Sequence, residues 1–204
     1  MTVREDILSR LRHAGGSIPE LPAPFPLTAS SDNPIQLFVN RATLVGMTVA
    51  PVSLELLPEE IARAVIGAGA SAVAMWDDPL LLPVRAAIEA SGVAVIPPAD
   101  HQPARVASAQ VGITTAVYGV AETATLALDC SSERPRGTSL LPPVHLVVLR
   151  THRIVPTLSD LLRRLSSVPS ALTLISGPSR SADIELTTVR GVHGPTAVSV
   201  YLVP

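Results

Sequence analysis

The sequence predicts an α/β fold built on a largely parallel sheet, and three observations carry that expectation. Short aliphatic runs alternate with helical segments along residues 35–204, and strand–helix–strand repeats of this kind pair in parallel through right-handed crossovers. Hydrophobic residues make up 47% of the chain and charged residues only 16%, the balance expected where strands are covered on both faces. At 204 residues the chain is long enough for one well-buried domain.

The elements follow in order. Thr2-x-x-Glu5 forms a capping box ahead of Ile7, Leu8 and Leu11 at helical spacing, and Gly15-Gly16 is the stop, so residues 1–16 read as a helical arm. Five prolines between residues 17 and 34 make an extended linker. The arm either reaches to a partner or another subunit, or packs back on its own domain. The domain proper covers 35–204. A helix is expected over Ile35–Gly46 and a strand over Met47–Ser53. Pro58-Glu59-Glu60 opens a helix with Ile61, Val65 and Ala68 on one face, and Ser71–Trp76 is a strand. Asp78-Pro79 caps a helix that stops at Ser91-Gly92, before the strand Val93–Ile96. Val111–Thr115 reads as a strand or turn, Ala116–Glu122 as a short helix, Thr125–Asp129 as a strand, and Ser131–Ser139 as a polar loop. Val144–Leu149 is a strand. Thr157-x-x-Asp160 starts a helix carrying Leu158, Leu161, Leu162 and Leu165, and Leu172–Ile175 and Ala197–Val203 are the last strands. There is no internal repeat.

Composition excludes several classes. No apolar window reaches the ~18 residues of a membrane span, and the first fourteen residues lack the apolar core of a signal peptide, so a cytoplasmic address is expected. Cys130 is the single cysteine and reads as a packed thiol; one thiol supplies neither an internal disulfide nor a four-thiolate cluster. All fifteen basic residues are arginine, which removes lysine Schiff bases and the P-loop lysine. A net charge of −2 and five aromatic residues speak against nucleic-acid binding. The clusters Arg134/Arg136, Arg150/Arg153 and Arg163/Arg164 read as solvated faces or local anion contacts. The five histidines are scattered without metal-ligand spacing, and neither Gly-x-Gly-x-x-Gly nor Gly-x-Ser-x-Gly occurs, so no metal site is expected.

The polar chemistry gathers near the C-terminus. After Leu172–Ile175 comes Ser176-Gly177-Pro178, a tight turn, then Ser179-Arg180-Ser181-Ala182-Asp183-Ile184-Glu185, read as a helix start. Free backbone N–H groups, the two serine hydroxyls and the arginine fork would together suit an anion; an ordinary capped turn is the alternative. Gly191-Val192-His193-Gly194-Pro195 holds a histidine on a constrained loop, as an acid/base group, a ligand donor, or a partner for loop carbonyls. Glu122-Thr123 sets a carboxylate before a strand, as base, nucleophile, or structural anchor to Arg134, Arg136 or Arg180. His145 reads as a satisfied strand residue.

Val111-Gly112-Ile113-Thr114, Ala121-Glu122-Thr123, Ser139-Leu140-Leu141-Pro142, Ser176–Glu185 and Gly191–Pro195 occur in this order and together resemble the lactate-utilisation (LUD-domain) family, in its small single-domain C-type form. The family pattern has Gly where this chain has Ala124 and Thr where it has Ser181. The resemblance implies a three-layer α/β/α sandwich with a mainly parallel sheet, similar to the sugar-phosphate isomerase and CoA-transferase group. It implies a component of a cytoplasmic system oxidising L-lactate to pyruvate, bound to no cofactor of its own and acting with iron–sulfur partner proteins. A small carboxylate or phosphorylated anion would be held by Gly177, Ser179, Arg180, Ser181, Asp183, Thr123 and Gly194, with Glu122 and His193 as acid/base groups. Whether the chain turns over substrate alone stays open, and an oligomer is compatible with it. Two other readings stand beside this one: a stand-alone isomerase or acyl-CoA transferase using Glu122, and a non-catalytic scaffold or regulatory subunit.

Overall fold

The computed structural model describes residues 3–13, 33–131, 133–165, 169, 171–182, 188–190 and 193–204. Helix α1 spans Val3–His13 and leaves Val3, Ile7 and Leu8 exposed. Its predicted cap at Thr2, its Gly15-Gly16 stop and the linker as far as residue 32 lie outside the described residues.

Helix α2 (Pro34–Val45) shows how local chemistry places the first element of the domain. The Asn33 side chain accepts the Gln36 N–H at 3.0 Å, Pro34 occupies a position that needs no N–H donor, and Gly46 closes the helix at φ 88°. Phe38 and Ala42 on its inner face are buried. Strand β1 (Thr48–Pro51), helix α3 (Leu57–Gly67), strand β2 (Ala72–Met75), helix α4 (Leu82–Ala90) and strand β3 (Ala94–Ile96) follow as alternating units. Asp78 caps a 3₁₀ turn at Pro79–Leu81 ahead of α4, accepting the Leu80 N–H. Helix α5 (Pro103–Ala107) then leads into strand β4 (Val111–Ala116). Next come β5 (Tyr118–Val120), β6 (Thr125–Cys130), the single turn α6 (Gly137–Leu140), β7 (Val144–Arg150) and β8 (Ile154–Val155). Helix α7 (Leu158–Arg164), β9 (Ala171–Ile175), β10 (Arg180–Ala182), β11 (Thr188–Arg190) and β12 (Ala197–Val203) complete the described chain. A reciprocal Thr157–Asp160 capping box starts α7 where the sequence placed it.

Among the described residues, six strands form one sheet in the order β1-β12-β7-β4-β2-β3, every neighbouring pair parallel. The expected α/β fold on a parallel sheet is therefore observed. All six residues of β4 are buried and β7 is buried from His145 to Leu149, as strands covered on both faces should be.

A second sheet, β8-β5-β6-β9, joins β5 to β6 and β6 to β9 antiparallel and β5 to β8 parallel. It packs on the carboxyl half of β7: a Cβ built on Gly119 would lie 2.7 Å from Leu149 Cδ2 and 3.2 Å from Phe38 Cε2. A larger residue at 119 would force the Leu149 side chain to shift.

Three local expectations are corrected. Ala116–Glu122 is no helix: Ala116 ends β4 and Tyr118–Val120 is β5. The run is short, apolar and buried, so periodicity does not separate the two states, and the antiparallel partner β6 decides it. Arg180–Ala182 is likewise strand, paired with Thr188–Arg190, and so starts no helix. The loop expected over Ser131–Ser139 already turns into α6 at Gly137.

The turn between β5 and β6 holds Ala124, buried, at φ 51°. Left-handed backbone costs an L-residue roughly 1–2 kcal/mol. A glycine would relieve that, but would forfeit about 0.8 kcal/mol of methyl burial and about 0.4–1 kcal/mol through unfolded-state freedom. Ala124→Gly is therefore expected to leave stability within about 1 kcal/mol of the parent. Ala124→Val, branched and overpacked, should lose about 2–3 kcal/mol. Urea midpoints at unchanged m-value measure both.

Candidate functional site

The site is built where the β9–β10 connection crosses the end of α2. Gly177 sits at φ 106°, and a Cβ there would lie 3.0 Å from the Val45 carbonyl oxygen. Glycine is thus required twice over, for its backbone angle and for the close approach. Beyond the turn, Arg180 donates from Nη2 to the Val45 carbonyl at 2.8 Å, a cation on the carbonyl end of a helix, where the dipole favours it. Gly46 leaves room for this: a Cβ there would be 2.8 Å from Arg180 Nη2.

The two glycine-built motifs are laced together. The Ser179 N–H donates to the Pro195 carbonyl at 2.8 Å, and a Cβ on Gly194 would lie 3.2 Å from Ser179 Cβ. Between them opens a groove of about 290 Å³, lined by Ser176, Gly177, Ser179, Arg180, His193 and Gly194 among others. Ser139 and Leu140 of α6 and Val198 of β12 also line it. His193 is exposed and Arg180 is exposed apart from its bond to α2.

The Glu122-Thr123 turn reaches the same region through hydroxyls. Thr123 Oγ1 and Thr125 Oγ1 are 2.7 Å apart, and Thr125 Oγ1 is 2.6 Å from Ser176 Oγ. Glu122 itself turns elsewhere. Its Oε1 accepts the Leu158 N–H at 3.1 Å and its N–H donates to the Pro156 carbonyl at 3.1 Å. The carboxylate therefore caps the amino end of α7, a structural anchor made to backbone rather than to arginine.

Of the residues expected from sequence, the structure brings Gly177, Ser179, Arg180, His193 and Gly194 around one groove, links Thr123 to it through Thr125 and Ser176, and directs Glu122 at α7. Asp183 lies outside the described residues, and Ser181 contributes its backbone to β10. With Arg180–Ala182 in a strand, the polar groups that line the groove are side chains rather than a helix N-terminus. No site role was legible in the sequence for Ser139, Leu140, Ser176 or Val198. Ser176 could have been found as the hydroxyl next to Gly177; Val198 had no signal of its own. Cys130 is the packed thiol expected, buried with Sγ 3.4 Å from Thr173 Oγ1. No group of three or more His, Cys, Asp or Glu residues suited to a metal ion occurs among the described residues. Among those residues, too, no helix is long and apolar enough to cross a membrane.

Residues 98–203, more than half of the chain, match the family model described as LUD domain. The chain belongs to the LUD domain family. Every groove residue named above falls inside the matched span. Within the family the chain is 30% identical over 180 residues to Lactate utilization protein C of Halalkalibacterium halodurans, covering 81% of this chain and 77% of that one. It is 42% identical over 102 residues to Uncharacterized protein YkgG of Escherichia coli, 47% of this chain and 44% of that protein. Against Lactate utilization protein C of Bacillus subtilis it is 40% identical over 102 residues, 47% and 42% of the two lengths. The last two matches thus span less than half of each relative. A crystal structure of a DUF162 family protein from Deinococcus radiodurans superposes with a TM-score of 0.64 at 25% identity, covering 84% of this chain and 96% of that one. The LUD domain assignment and the parallel α/β architecture agree.

Proposed function

We propose that this LUD domain protein serves in lactate utilisation, as a component that holds a small carboxylate such as L-lactate in the groove between Ser179 and Gly194. The lacing of the two motifs by the Ser179–Pro195 bond carries this reading. It turns two separate loops into one wall with a guanidinium, an imidazole and hydroxyls facing a common space. A volume of about 290 Å³ lies at the lower end of small-molecule sites, which fits a three-carbon acid.

Arg180 supplies the charge for the carboxylate and the serine hydroxyls orient it. His193, which lines the same groove, would take the hydroxyl proton of a bound hydroxy acid. Oxidation of the alcohol carbon to a ketone releases two electrons and two protons. In this reading both electrons pass to iron–sulfur partner proteins as the oxidant, the hydroxyl proton goes to His193 and the proton from the alcohol carbon is released to water. The acyl-transfer alternative asks Glu122 to act as nucleophile, and its engagement with the Leu158 N–H weighs against that.

The test is lactate-dependent dye reduction by the assembled system recovered from the native cell. Omitting this chain should lower the rate by about tenfold or more. Arg180→Ala should raise the lactate concentration needed for half-maximal rate, and His193→Ala should lower the maximal rate by about 10²-fold. Reduction that proceeds equally well without the chain would overturn the reading.

A further inference from the structure

The carboxyl ends of the parallel strands carry a second and larger concavity, about 570 Å³, that the lactate reading does not use. It shares no lining residue with the groove. Thr115 at the end of β4, Val148 and Arg150 at the end of β7, and Asp78 just past β2 form its floor, while Tyr118 of β5 and Asp129 of β6 close it from the second sheet. In open α/β sheets, ligands bind outside the carboxyl ends of the strands.

Its charge is unlike that of the rest of the molecule. Arg134, Arg150, Arg153 and Arg164 all line the cleft, against two carboxylates, Asp78 and Asp129. That leaves two positive formal charges in excess, in a chain whose net charge is −2. Three of the four guanidiniums are already positioned, Arg150 by donating from Nη1 to the Pro204 carbonyl at 3.3 Å. Arg134 Nη2 lies 3.3 Å from Asp78 Oδ2, and Asp78 is itself held by the Thr115 hydroxyl at 2.9 Å and the Leu80 N–H at 3.0 Å. Arg153 stacks over the Tyr118 ring at 5.4 Å and donates to its hydroxyl at 3.1 Å. Groups ordered before a ligand arrives lower the entropy cost of binding.

We propose that this cleft is a separate binding site for the dianionic phosphoryl group of a small molecule. Several planar guanidinium forks converging on one space match an anion with three equivalent oxygens and nearly two charges. A monocarboxylate would satisfy only one of them. The size, nearly twice that of the groove, admits an organic body behind the phosphoryl group. The proposal stands independently of the lactate reading, because no residue is common to the two sites.

Calorimetric titration of the full chain with inorganic phosphate and with pyrophosphate, at low ionic strength, tests it. Both should bind saturably, pyrophosphate the tighter, with affinity falling as salt is raised. Arg153→Gln and Arg164→Gln should each weaken binding about tenfold or more. Arg105→Gln, which removes an equal charge from an exposed pair with Asp100 outside both cavities, should leave it unchanged. Thermal melts establish that the variants fold; should Arg153→Gln disturb the Tyr118 contact, Arg164→Gln carries the decision. No saturable binding at about 10 mM, variants that bind like the parent, or succinate binding as tightly as phosphate would each overturn the assignment. A failed lactate assay would leave this titration standing.

Discussion

Gly112→Ala is expected to destabilise the fold by about 3 kcal/mol or more. Gly112 lies in β4, in the middle of the six-stranded sheet, flanked by fully buried Val111 and Ile113. A Cβ there would collide with the Thr138 carbonyl oxygen and sit 3.2 Å from Pro142 Cγ. The obstacle is backbone, so no rotamer change can clear it, and α6 has to lift from the sheet. That exposes Thr138 and Ser139, now 0% and 1% accessible, and drags Ser139 and Leu140 away from the groove. The damage should therefore appear in the urea midpoint and, on the function proposed above, in lactate-dependent dye reduction. Gly137→Ala is the matched control: the nearest atom to its Cβ is Leu141 Cδ1 at 3.5 Å, ordinary contact, and stability should stay within about 1 kcal/mol. A Gly112→Ala protein that melts with the parent would mean that α6 does not rest on β4.

The second large effect concerns acid. His145 is fully buried on β7, its Nε2 2.9 Å from Thr114 Oγ1, and its Nδ1 has no hydrogen-bond partner among the described residues. Burial pushes its pKa down from the ordinary 6.5 to about 3. Above pH 6.5 the imidazole is neutral in both folded and unfolded chains and contributes no pH dependence. Below it the unfolded chain takes up a proton that the folded chain refuses, so stability falls with pH by about 1.4 kcal/mol per unit until pH approaches 3. Carboxylates add their own slope, so the difference from His145→Gln isolates the histidine. That variant should start less stable at pH 8. The gap to the parent should then close by about 2–3 kcal/mol by pH 4.5. A gap that stays constant across this range would show that His145 does not titrate in unfolding.

How far the sequence announced this structure depended on whether the deciding interactions were local. Helices α2, α3 and α7 were legible because caps and apolar stripes lie within a few residues of one another: Thr157 with Asp160, or Ile61 with Val65. Strands β7 and β12 were legible from their aliphatic runs. Tyr118–Val120 and Arg180–Ala182 were misread because pairing with a neighbouring strand, β6 and β11 respectively, decides them, not any period within so short a run. β5 lies against Leu149 and Phe38, and β10 pairs with a strand eight residues further on. The groove was half visible. Its two glycine motifs declared themselves as loops that belong together, but not the Thr125–Ser176 hydroxyl contact between residues 51 positions apart. The redirection of Glu122 toward α7 was equally hidden, since Leu158 lies 36 residues away. The arginine cleft was invisible for the same reason. Arg134, the neighbours Arg150 and Arg153, and Arg164 lie apart along the chain, and only the fold brings them to one end.

The strand order has a consequence for how the chain is made. β1, near the start, is an edge strand whose neighbour is β12, the last strand described. The register Thr48↔Ser199 through Pro51↔Leu202 cannot form until residues 199–202 have been synthesised. At about 5–20 residues per second, β1 leaves the ribosome roughly 7–30 s before its partner. Throughout that interval its backbone donors and acceptors stand unpaired, a template for any neighbouring nascent chain. Pro51 at its end and the short length of the strand, four residues, are the two features that blunt this exposure. Termination anywhere before Ala197 leaves β1 without its place in the sheet, making the integrity of the strand conditional on residues about 150 positions downstream.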